Sequence, residues 1–406
     1  MSKKQAITLT NTVRPLVGCH ATQAGDYCFC AVTAPSTAGA QEFDGQFTRG
    51  AARRQSEDLL DVAERSLKAV GSSLAQGLKI DQFCTEADAA APYLAVRAQR
   101  IATETRPSST HVQVAGLTQE KSLVGIQLIS HASSKEKTPV VVPGMPASPG
   151  KPFKPAPHAL VHGEFVFVTG QVAYDFDEGY PQAADVDGAT WYQSKALNEA
   201  KYTLGKIDRI MKHLGGSLAD AVKLEIYLND MSDVVDVERV INEAFGEALP
   251  ARSYAATVRL APSRCRVEIT AICRRPGSRL PITRIAGDAS WSKSWLSPAA
   301  VEFGGLMFTS TLTGYIGARL DAAIDLLPEV NALFERAASL HPGRVGGLYD
   351  LLFAAVQVAR EVPMGNFRAA VEQVPGSSEV VLSTFAMQPP MLWTRGAVQA
   401  DFVFKV

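Results

Sequence analysis

Residues 267–273 (VEITAIC) form a strand-like apolar run that a single carboxylate, Glu268, interrupts. Two other segments precede it in the chain. Residues 166–170 (VFVTG) are a short apolar run closed by glycine, and residues 250–253 (PARS) are a turn with a lone arginine. Between these two segments, apolar residues recur at steps of three and four, which predicts a long amphipathic helix that ends at Gly215-Gly216. The three segments therefore mark one folded unit over residues 155–275.

Altered copies of this unit are predicted on both sides of it. Residues 68–75 (KAVGSSLA) match residues 212–219 (KHLGGSLA) at an offset of 144 positions without a gap, and residues 346–352 (GGLYDLL) repeat the pattern more faintly. Shared ungapped spacing of this kind indicates a tandem repeat. We expect units over 1–134, 155–275 and 276–406. The proline-rich tract 135–154 would join the first two as an extended connector.

Bulk composition describes an ordinary soluble protein. The chain has 406 residues, with 40 Lys and Arg against 41 Asp and Glu, so charge gives no reason to expect binding to nucleic acid or to an anionic membrane. No apolar run is long enough to span a bilayer, and no secretion signal follows the first residues. The six cysteines form no CxxC pair. We expect a cytoplasmic protein with reduced, buried thiols and no metal site.

Each unit is predicted to be α+β, with two helices and several strands. In the middle unit we expect strands over 221–228, 253–260 and 266–273, and a second helix with Ser232 as its N-cap. The first unit should contain a helix over 53–70. The third should contain a helix over 321–340 and strands over 379–386 and 397–405.

The middle unit resembles the RidA family, also called YjgF or Rid. The shared motifs are PxxH at 155–158, GEFVFVTGQ at 163–171, GSL at 216–218, YLxDM at 227–231, PARS at 250–253 and VEIxA at 267–271. The resemblance implies an antiparallel-rich sheet with two helices on one face, similar to the chorismate mutase-like fold. It also implies homotrimers with ligand clefts between subunits. Three units in one chain would then form an intramolecular pseudo-trimer.

The resemblance also implies a chemistry that needs no cofactor. Arg252 would bind a substrate carboxylate, Glu268 would position and activate water, and the backbone at Thr169 and Gly170 would help to hold the ligand. The implied reaction hydrolyses a 2-imino or enamino acid to a 2-oxo acid and ammonia. A guanidinium suits a carboxylate as a two-pronged donor, and burial would raise the pKa of Glu268 towards neutrality.

Four further positions bear on the substrate. His158 matches a family position at the edge of the pocket. Ala156, Arg239 and Tyr254 depart from the family, which often has Tyr, Asn and a small residue or Cys there. We therefore expect a non-standard, larger or more acidic substrate, with Arg239 and Tyr254 lining its pocket.

At the positions that align with Arg252 and Glu268, the outer units have other residues. Arg252 aligns with Ser108 and Ser377, and Glu268 aligns with Gln399 and with Gly125 or, if the gap is moved, Val124. One competent cleft is therefore expected. Two rivals stay open: an amide or enol-ether hydrolase that uses the same cleft, as in chorismatases, and a non-catalytic ligand-binding protein. The expected partner is a small carboxylate, and further self-association is left open.

Overall fold

Three β-sheets, each flanked by two helices, make up the regular structure of the protein. The computed structural model describes residues 4–9, 18–34, 45–101, 105–146, 156–186, 194–287, 296–317, 325–341, 347–388, 391–392 and 396–406. Side chains 45–47 lie outside this description. Within these ranges the three parts of the chain have the same inventory of seven strands and two helices. The predicted α+β class is confirmed.

The elements follow one another in the same order in each part. The first unit contains β1 Gln5–Ile7, β2 Ala21–Ala24, β3 Tyr27–Thr33, α1 Gly45–Ala69, β4 Gly77–Cys84, α2 Ala90–Arg100, β5 Ser108–Gln113, β6 Gly116–Leu117 and β7 Val124–His131. The middle unit contains β8 Thr138–Val140, β9 Ala159–His162, β10 Phe165–Val172, α3 Lys195–His213, β11 Ala221–Leu228, α4 Val234–Phe245, β12 Ala251–Ala256, β13 Arg259–Leu260 and β14 Val267–Arg274. The third unit contains β15 Thr283–Ile285, β16 Ala300–Phe303, β17 Leu306–Thr309, β18 Leu312–Thr313, α5 Leu327–Ser339, β19 Leu351–Ala359, α6 Met364–Val371, β20 Val381–Met387 and β21 Val398–Lys405.

The strand order is common to the three sheets. In the middle sheet it is β8-β9-β10-β14-β11-β12, so the last strand lies at the centre. β12 runs parallel to β11, while the other neighbours are antiparallel. The corresponding orders in the outer sheets are β1-β2-β3-β7-β4-β5 and β15-β16-β17-β21-β19-β20. A helix crosses from β11 to β12, as a parallel pair requires.

Each pair of units is joined by backbone hydrogen bonds or by strand pairing. β13 of the middle unit pairs with β5 of the first, and β6 of the first unit pairs with β20 of the third. The middle and third units meet where the Thr311 amide donates to the Arg252 carbonyl at 2.8 Å. Edge strands are thereby covered by a neighbouring unit, which limits their tendency to pair with other chains.

The inner faces of the sheets pack against one another through aromatic residues. Phe29, Phe167 and Phe308 hold the same place on β3, β10 and β17, and each is 2% exposed or less. Burying each ring stabilises the fold by roughly 2–3 kcal/mol. The opposite face of each sheet packs on its two helices.

Several predicted boundaries need correction. The predicted cap Ser232 is wrong: the Asp230 carboxylate accepts from the Ser232 amide at 2.9 Å in a short turn before α4. The predicted connector includes β8, which pairs with β9, so part of that tract belongs to the middle sheet. The helix expected over 53–70 begins eight residues earlier, at Gly45. By contrast, Gly215 ends α3 with a φ of 85°, as predicted.

Candidate functional site

Strand register aligns the three units without reference to sequence similarity. Glu268 lies opposite Tyr227, and the equivalent pairs are Phe83 with Gly125 and Gln357 with Gln399. The predicted alignment of Glu268 with Gln399 is confirmed, and the register selects Gly125 over Val124. Only the middle unit therefore has a carboxylate at this position.

The same register corrects the predicted equivalents of Arg252. Arg252 lies opposite Leu224 on the parallel strand, and the matching positions in the outer units are Ser109 and Leu382, not Ser108 and Ser377. Neither outer unit has an arginine at this strand position.

Arg252 and Glu268 do not share a cleft, contrary to the prediction. Arg252 and Ala271 both lie opposite Leu224, so they point to one face of the sheet. Glu268 is three residues from Ala271 on β14, and side chains alternate along a strand, so it points to the other face. Two strand spacings and three residue rises place the two Cα atoms roughly 14 Å apart.

Arg252 is fully buried against the helix face. Its Nε and Nη2 donate to the two carboxylate oxygens of Glu238 on α4 at 2.7 and 3.0 Å. Its Nη1 donates to the carbonyls of Pro250 and Ser297 at 3.0 and 3.1 Å. The edge of the guanidinium that would grip a substrate carboxylate is thus occupied by a carboxylate of the protein.

The predicted pocket residues Tyr254, Arg239 and His158 have other roles. Tyr254 is fully buried and donates its hydroxyl to Glu238 at 2.5 Å. Arg239 lies on the exposed face of α4, with its side chain 61% exposed and paired with Glu243. These placements contradict the expectation that the two residues line a substrate pocket.

His158 is a structural residue in this arrangement. Its Nδ1 accepts from the Val142 amide at 2.9 Å, so Nε2 carries the proton and donates to the Pro146 carbonyl at 3.1 Å. Burial lowers the pKa of this imidazole. Both ring nitrogens are therefore committed to holding the segment before β9, and the expected contact with substrate is not supported.

Glu268 lies where the middle and first units meet, and we call this place the first–middle seam. The seam is defined by Glu268, Thr169 and Gly170 of the middle unit and by Thr110 of the first. A methyl group at Gly170 would lie 2.3 Å from Glu268 Oε1 and 2.5 Å from Thr110 Oγ1. A side chain at this position would therefore have to displace the carboxyl group or the Thr110 hydroxyl. The Thr110 hydroxyl is buried beside the same carboxyl group, and its interaction with Glu268 favours the charged carboxylate.

The environment of Glu268 favours its neutral form. Burial raises its pKa to about 8, with a smaller contribution from the Asp81 carboxylate of the first unit. Thr110, Lys79 and Lys206 oppose this shift but are outweighed by desolvation. The carboxyl group can therefore both donate and accept a proton close to neutral pH.

A β-bulge shapes the first–middle seam. β10 has one more residue than β14 between the pairs Val168 with Ala271 and Gln171 with Ile269. Thr169 anchors the bulge, because its hydroxyl donates to the Pro157 carbonyl at 2.5 Å. The extra residue re-aims the backbone at Gly170 towards Glu268.

The third unit has the same bulge but uses it differently. Ser310 and Thr311 take the places of Thr169 and Gly170, and their hydroxyls accept from the amides of Arg252 and Tyr254 at 3.0 and 2.9 Å. This middle–third seam is therefore tied shut. At the first–middle seam, Gly170 has no side chain to make the corresponding bond.

A cluster of ionisable groups lies on the inner faces of the sheets, in which Lys79, Asp81, Lys223 and Asp401 are buried and Glu225 is partly buried. Lys79 binds Asp81 and, at 2.6 Å, Glu225, while Lys223 binds Asp401 at 2.9 Å. Burial raises the pKa of both aspartates. The cluster contains two cations and three anions, so it carries a net negative charge when all five groups are ionised.

Within the residues that the structure describes, no group of three or more His, Cys, Asp or Glu side chains could hold a metal ion. No helix in the same residues is long and apolar enough to cross a membrane.

Comparison with known proteins gives a consistent result for the middle unit. Residues 149–274 match the family described as endoribonuclease L-PSP. A RutC family protein of Pyrococcus abyssi is 34% identical over 122 residues, which are 30% of this chain and 87% of that protein. The chain belongs to the RidA/RutC family. A RutC family protein of Sinorhizobium fredii is 29% identical over 118 residues, 29% of this chain and 85% of that protein.

Solved structures similar to this RidA-family chain cover it to different extents. RidA of the Antarctic bacterium Psychrobacter is 24% identical and covers 34% of this chain and 98% of its own, with a TM-score of 0.28. A chorismatase is 15% identical and covers 66% of this chain and 79% of its own, with a TM-score of 0.47.

Proposed function

We propose that this RidA-family chain is a hydrolase that cleaves a C–N bond of a small carboxylate-bearing imine or enamine at the first–middle seam. The observation that carries the proposal is the buried carboxyl group of Glu268 beside Gly170, with a pKa of about 8. No cofactor is required, because a 2-imino acid is already electrophilic at C2 and one proton-transfer group suffices.

A single carboxyl group can perform each proton transfer in turn. Neutral Glu268 protonates the enamine carbon and becomes a carboxylate, leaving an iminium at C2. The carboxylate then removes a proton from water while the water oxygen bonds to C2, which gives a carbinolamine. Glu268 next protonates the amino nitrogen, the C–N bond breaks and ammonia leaves. The proton of the C2 hydroxyl returns to Glu268, so the products are a 2-oxo acid, ammonia and the starting neutral group.

We further propose that the three units form an intramolecular pseudo-trimer with one working cleft. The shared strand order and the pairwise joining of the units support this arrangement. Gly125 and Gln399 replace Glu268 at the other two seams, and neither can exchange a proton near neutral pH.

The amide or enol-ether hydrolase remains the rival enzyme, because water activation by Glu268 would serve either bond. A non-catalytic ligand-binding protein is the rival from another class. A hydrolase would consume its bound ligand, whereas a binding protein would release it unchanged.

Detection of ammonia from a panel of 2-imino, 2-enamino and amide substrates tests the proposal. We expect turnover of an imino or enamino acid by the wild-type chain and its loss in Glu268→Gln, which keeps the shape and removes the acid. Arg239→Ala is the control, since this exposed side chain should leave turnover unchanged. Saturable binding without ammonia release, or full activity of Glu268→Gln, would exclude the proposed chemistry.

A further inference from the structure

Two carboxyl groups from different units approach each other at the first–middle seam. In the first sheet, Thr110 on β5 is the register partner of Asp81 on β4, and strand pairing places their Cα atoms roughly 4.8 Å apart with both side chains on one face. The Thr110 hydroxyl also borders Glu268, since both oxygens adjoin the space beside Gly170. Thr110 therefore lies between the buried acid of the middle unit and a buried acid of the first.

Asp81 brings more negative charge to this place than its partners neutralise. Its Oδ2 accepts from Lys79 Nζ and, at 2.7 Å, from Gln127 Nε2. Lys79 is shared, because it also donates to Glu225 of the middle unit at 2.6 Å. One ammonium thus faces two carboxylates, and Asp81 Oδ1 has no hydrogen-bond partner within the described residues. Asp81 is 1% exposed, so bulk water screens its charge little.

The pairing of two acids distinguishes the first–middle seam from the other two in the strands that the structure describes. At each seam one unit supplies the position of Asp81, and its neighbour supplies the position of Glu268. Strand register identifies the equivalent positions, which hold Glu225 and Gln399 at the middle–third seam and Ala355 and Gly125 at the seam between the third and first units. The pair of acids is thus confined to the seam for which the chemistry is proposed.

The order in which the two acids ionise follows from their surroundings. Burial raises the pKa of Asp81 to about 6 and that of Glu268 to about 8. Asp81 therefore ionises first, and its negative charge adds to the effect of burial on the pKa of Glu268. The other groups that face Glu268 are three that lower its pKa, namely Thr110, Lys79 and Lys206, and two that are uncharged because burial raises their own pKa, namely Tyr227 and Cys265.

We propose that Asp81 is a positioning residue for the proposed reaction, and that its buried negative charge keeps the proton on Glu268 until an enamine accepts it. This inference rests on the proposed function, because it concerns the acid that begins the proposed mechanism. The first unit has no acid at its own equivalent position, Gly125, and it contributes instead to the site of its neighbour. The site is therefore incomplete without the first unit.

The pH at which Glu268 loses its proton can be measured without turnover. The free energy of unfolding of Glu268→Gln minus that of its parent changes with pH as the acid of the parent ionises. We compare this difference in the wild-type and Asp81→Asn backgrounds. Asn keeps the shape and leaves Lys79 paired with Glu225, so the variant should fold. Removing the like charge should lower the pKa of Glu268, so the upper end of the pH-dependent range should move down from about pH 8 by roughly one pH unit.

The pH profile of turnover gives a second measurement. With an enamine substrate, ammonia release should fall as pH rises through the pKa of Glu268, because the first step needs the neutral acid. In Asp81→Asn this alkaline limb should move to lower pH by the same amount, while the rate on its acidic side is retained. Asp81→Glu restores the charge and should return the limb towards its wild-type position.

Asp401→Asn is the matched control, because it removes a buried carboxylate of the same cluster that pairs with Lys223 and does not shift the pKa of Glu268. It should leave both measurements unchanged. Thr110→Val removes a hydroxyl that favours the carboxylate, so it should move both measurements to higher pH. General loosening of the seam would admit water and move them to lower pH instead. Circular dichroism checks that every variant is folded.

The outcomes distinguish this inference from the proposed function. If Asp81→Asn leaves the pH-dependent range unchanged, or if Asp401→Asn shifts it equally, the role of Asp81 is wrong, and inactivity of Glu268→Gln would still support the chemistry. A shift of Thr110→Val to lower pH would also overturn the inference, because loosening of the seam would then dominate. If Glu268→Gln is active while Asp81→Asn shifts the unfolding curve alone, the effect of Asp81 on Glu268 stands and the proposed chemistry fails.

Discussion

Replacing Glu268 by Gln should change how the stability of the protein depends on pH. The carboxyl group is buried, and its pKa is raised to about 8 from an ordinary value of 4.5. Between these values the folded state holds a proton that the unfolded state has released. Stability therefore falls as pH rises, by about 1.4 kcal/mol for each pH unit, and the loss approaches roughly 5 kcal/mol above pH 8. Gln imitates the neutral acid and does not titrate.

The quantity to measure is the free energy of unfolding of Glu268→Gln minus that of the wild-type chain. At acidic pH, where the acid is neutral in both states, this difference sets a baseline. We expect this difference in the free energy of unfolding to become more positive between about pH 4.5 and 8, because only the wild-type chain loses stability there, and then to level off. Denaturant titrations followed by fluorescence and by circular dichroism give the values, and coincident transitions are required for the comparison.

Glu247→Gln provides the control, because Glu247 is an exposed carboxylate near the end of α4. The difference curve of Glu268→Gln is compared with that of this surface substitution, measured over the same pH range. A flat curve for Glu268→Gln would refute the reasoning, because the carboxyl group would then ionise as it does in water. The proposed exchange of protons near neutral pH would lose its physical basis.

Three other substitutions test the packing around the seams. Gly170→Ala places a methyl group 2.3 Å from Glu268 Oε1; we expect a loss of ammonia release of tenfold or more with a stability cost of about 1–3 kcal/mol, measured by initial rates and denaturation. Glu238→Ala leaves the buried Arg252 guanidinium without its anion and should cost about 3–5 kcal/mol, seen as a lower midpoint of unfolding. Lys223→Met leaves a buried aspartate unpaired, and its cost, of similar size, should increase with pH as that carboxylate is forced to ionise, as denaturation at two pH values would show.

Local sequence patterns predicted several strands and singled out the buried carboxyl group of Glu268. Residues 221–228 form a strand over the predicted range, because alternating apolar residues between a glycine pair and a polar turn leave little choice. Glu268 stood out as a carboxylate inside an apolar run, which needs either solvent or a function. Its buried position and raised pKa agree with that argument.

Features that depend on strand register could not be predicted from the sequence. The face to which Arg252 points follows from the parallel pairing of β12 with β11 across the connecting helix α4. Its partner Glu238 lies 14 residues earlier on a helix and has no local mark as a buried ion.

The first–middle and middle–third seams differ in the residues at equivalent positions. In a symmetric trimer, a residue that closes one cleft closes all three. Here Thr311 ties the middle–third seam shut, while its counterpart Gly170 leaves the first–middle seam to Glu268. The Arg252–Glu238 pair lies at the closed seam, where Arg252 also donates to the Ser297 carbonyl of the third unit. Different residues at equivalent positions therefore allow one seam to be structural while the other carries the proposed chemistry.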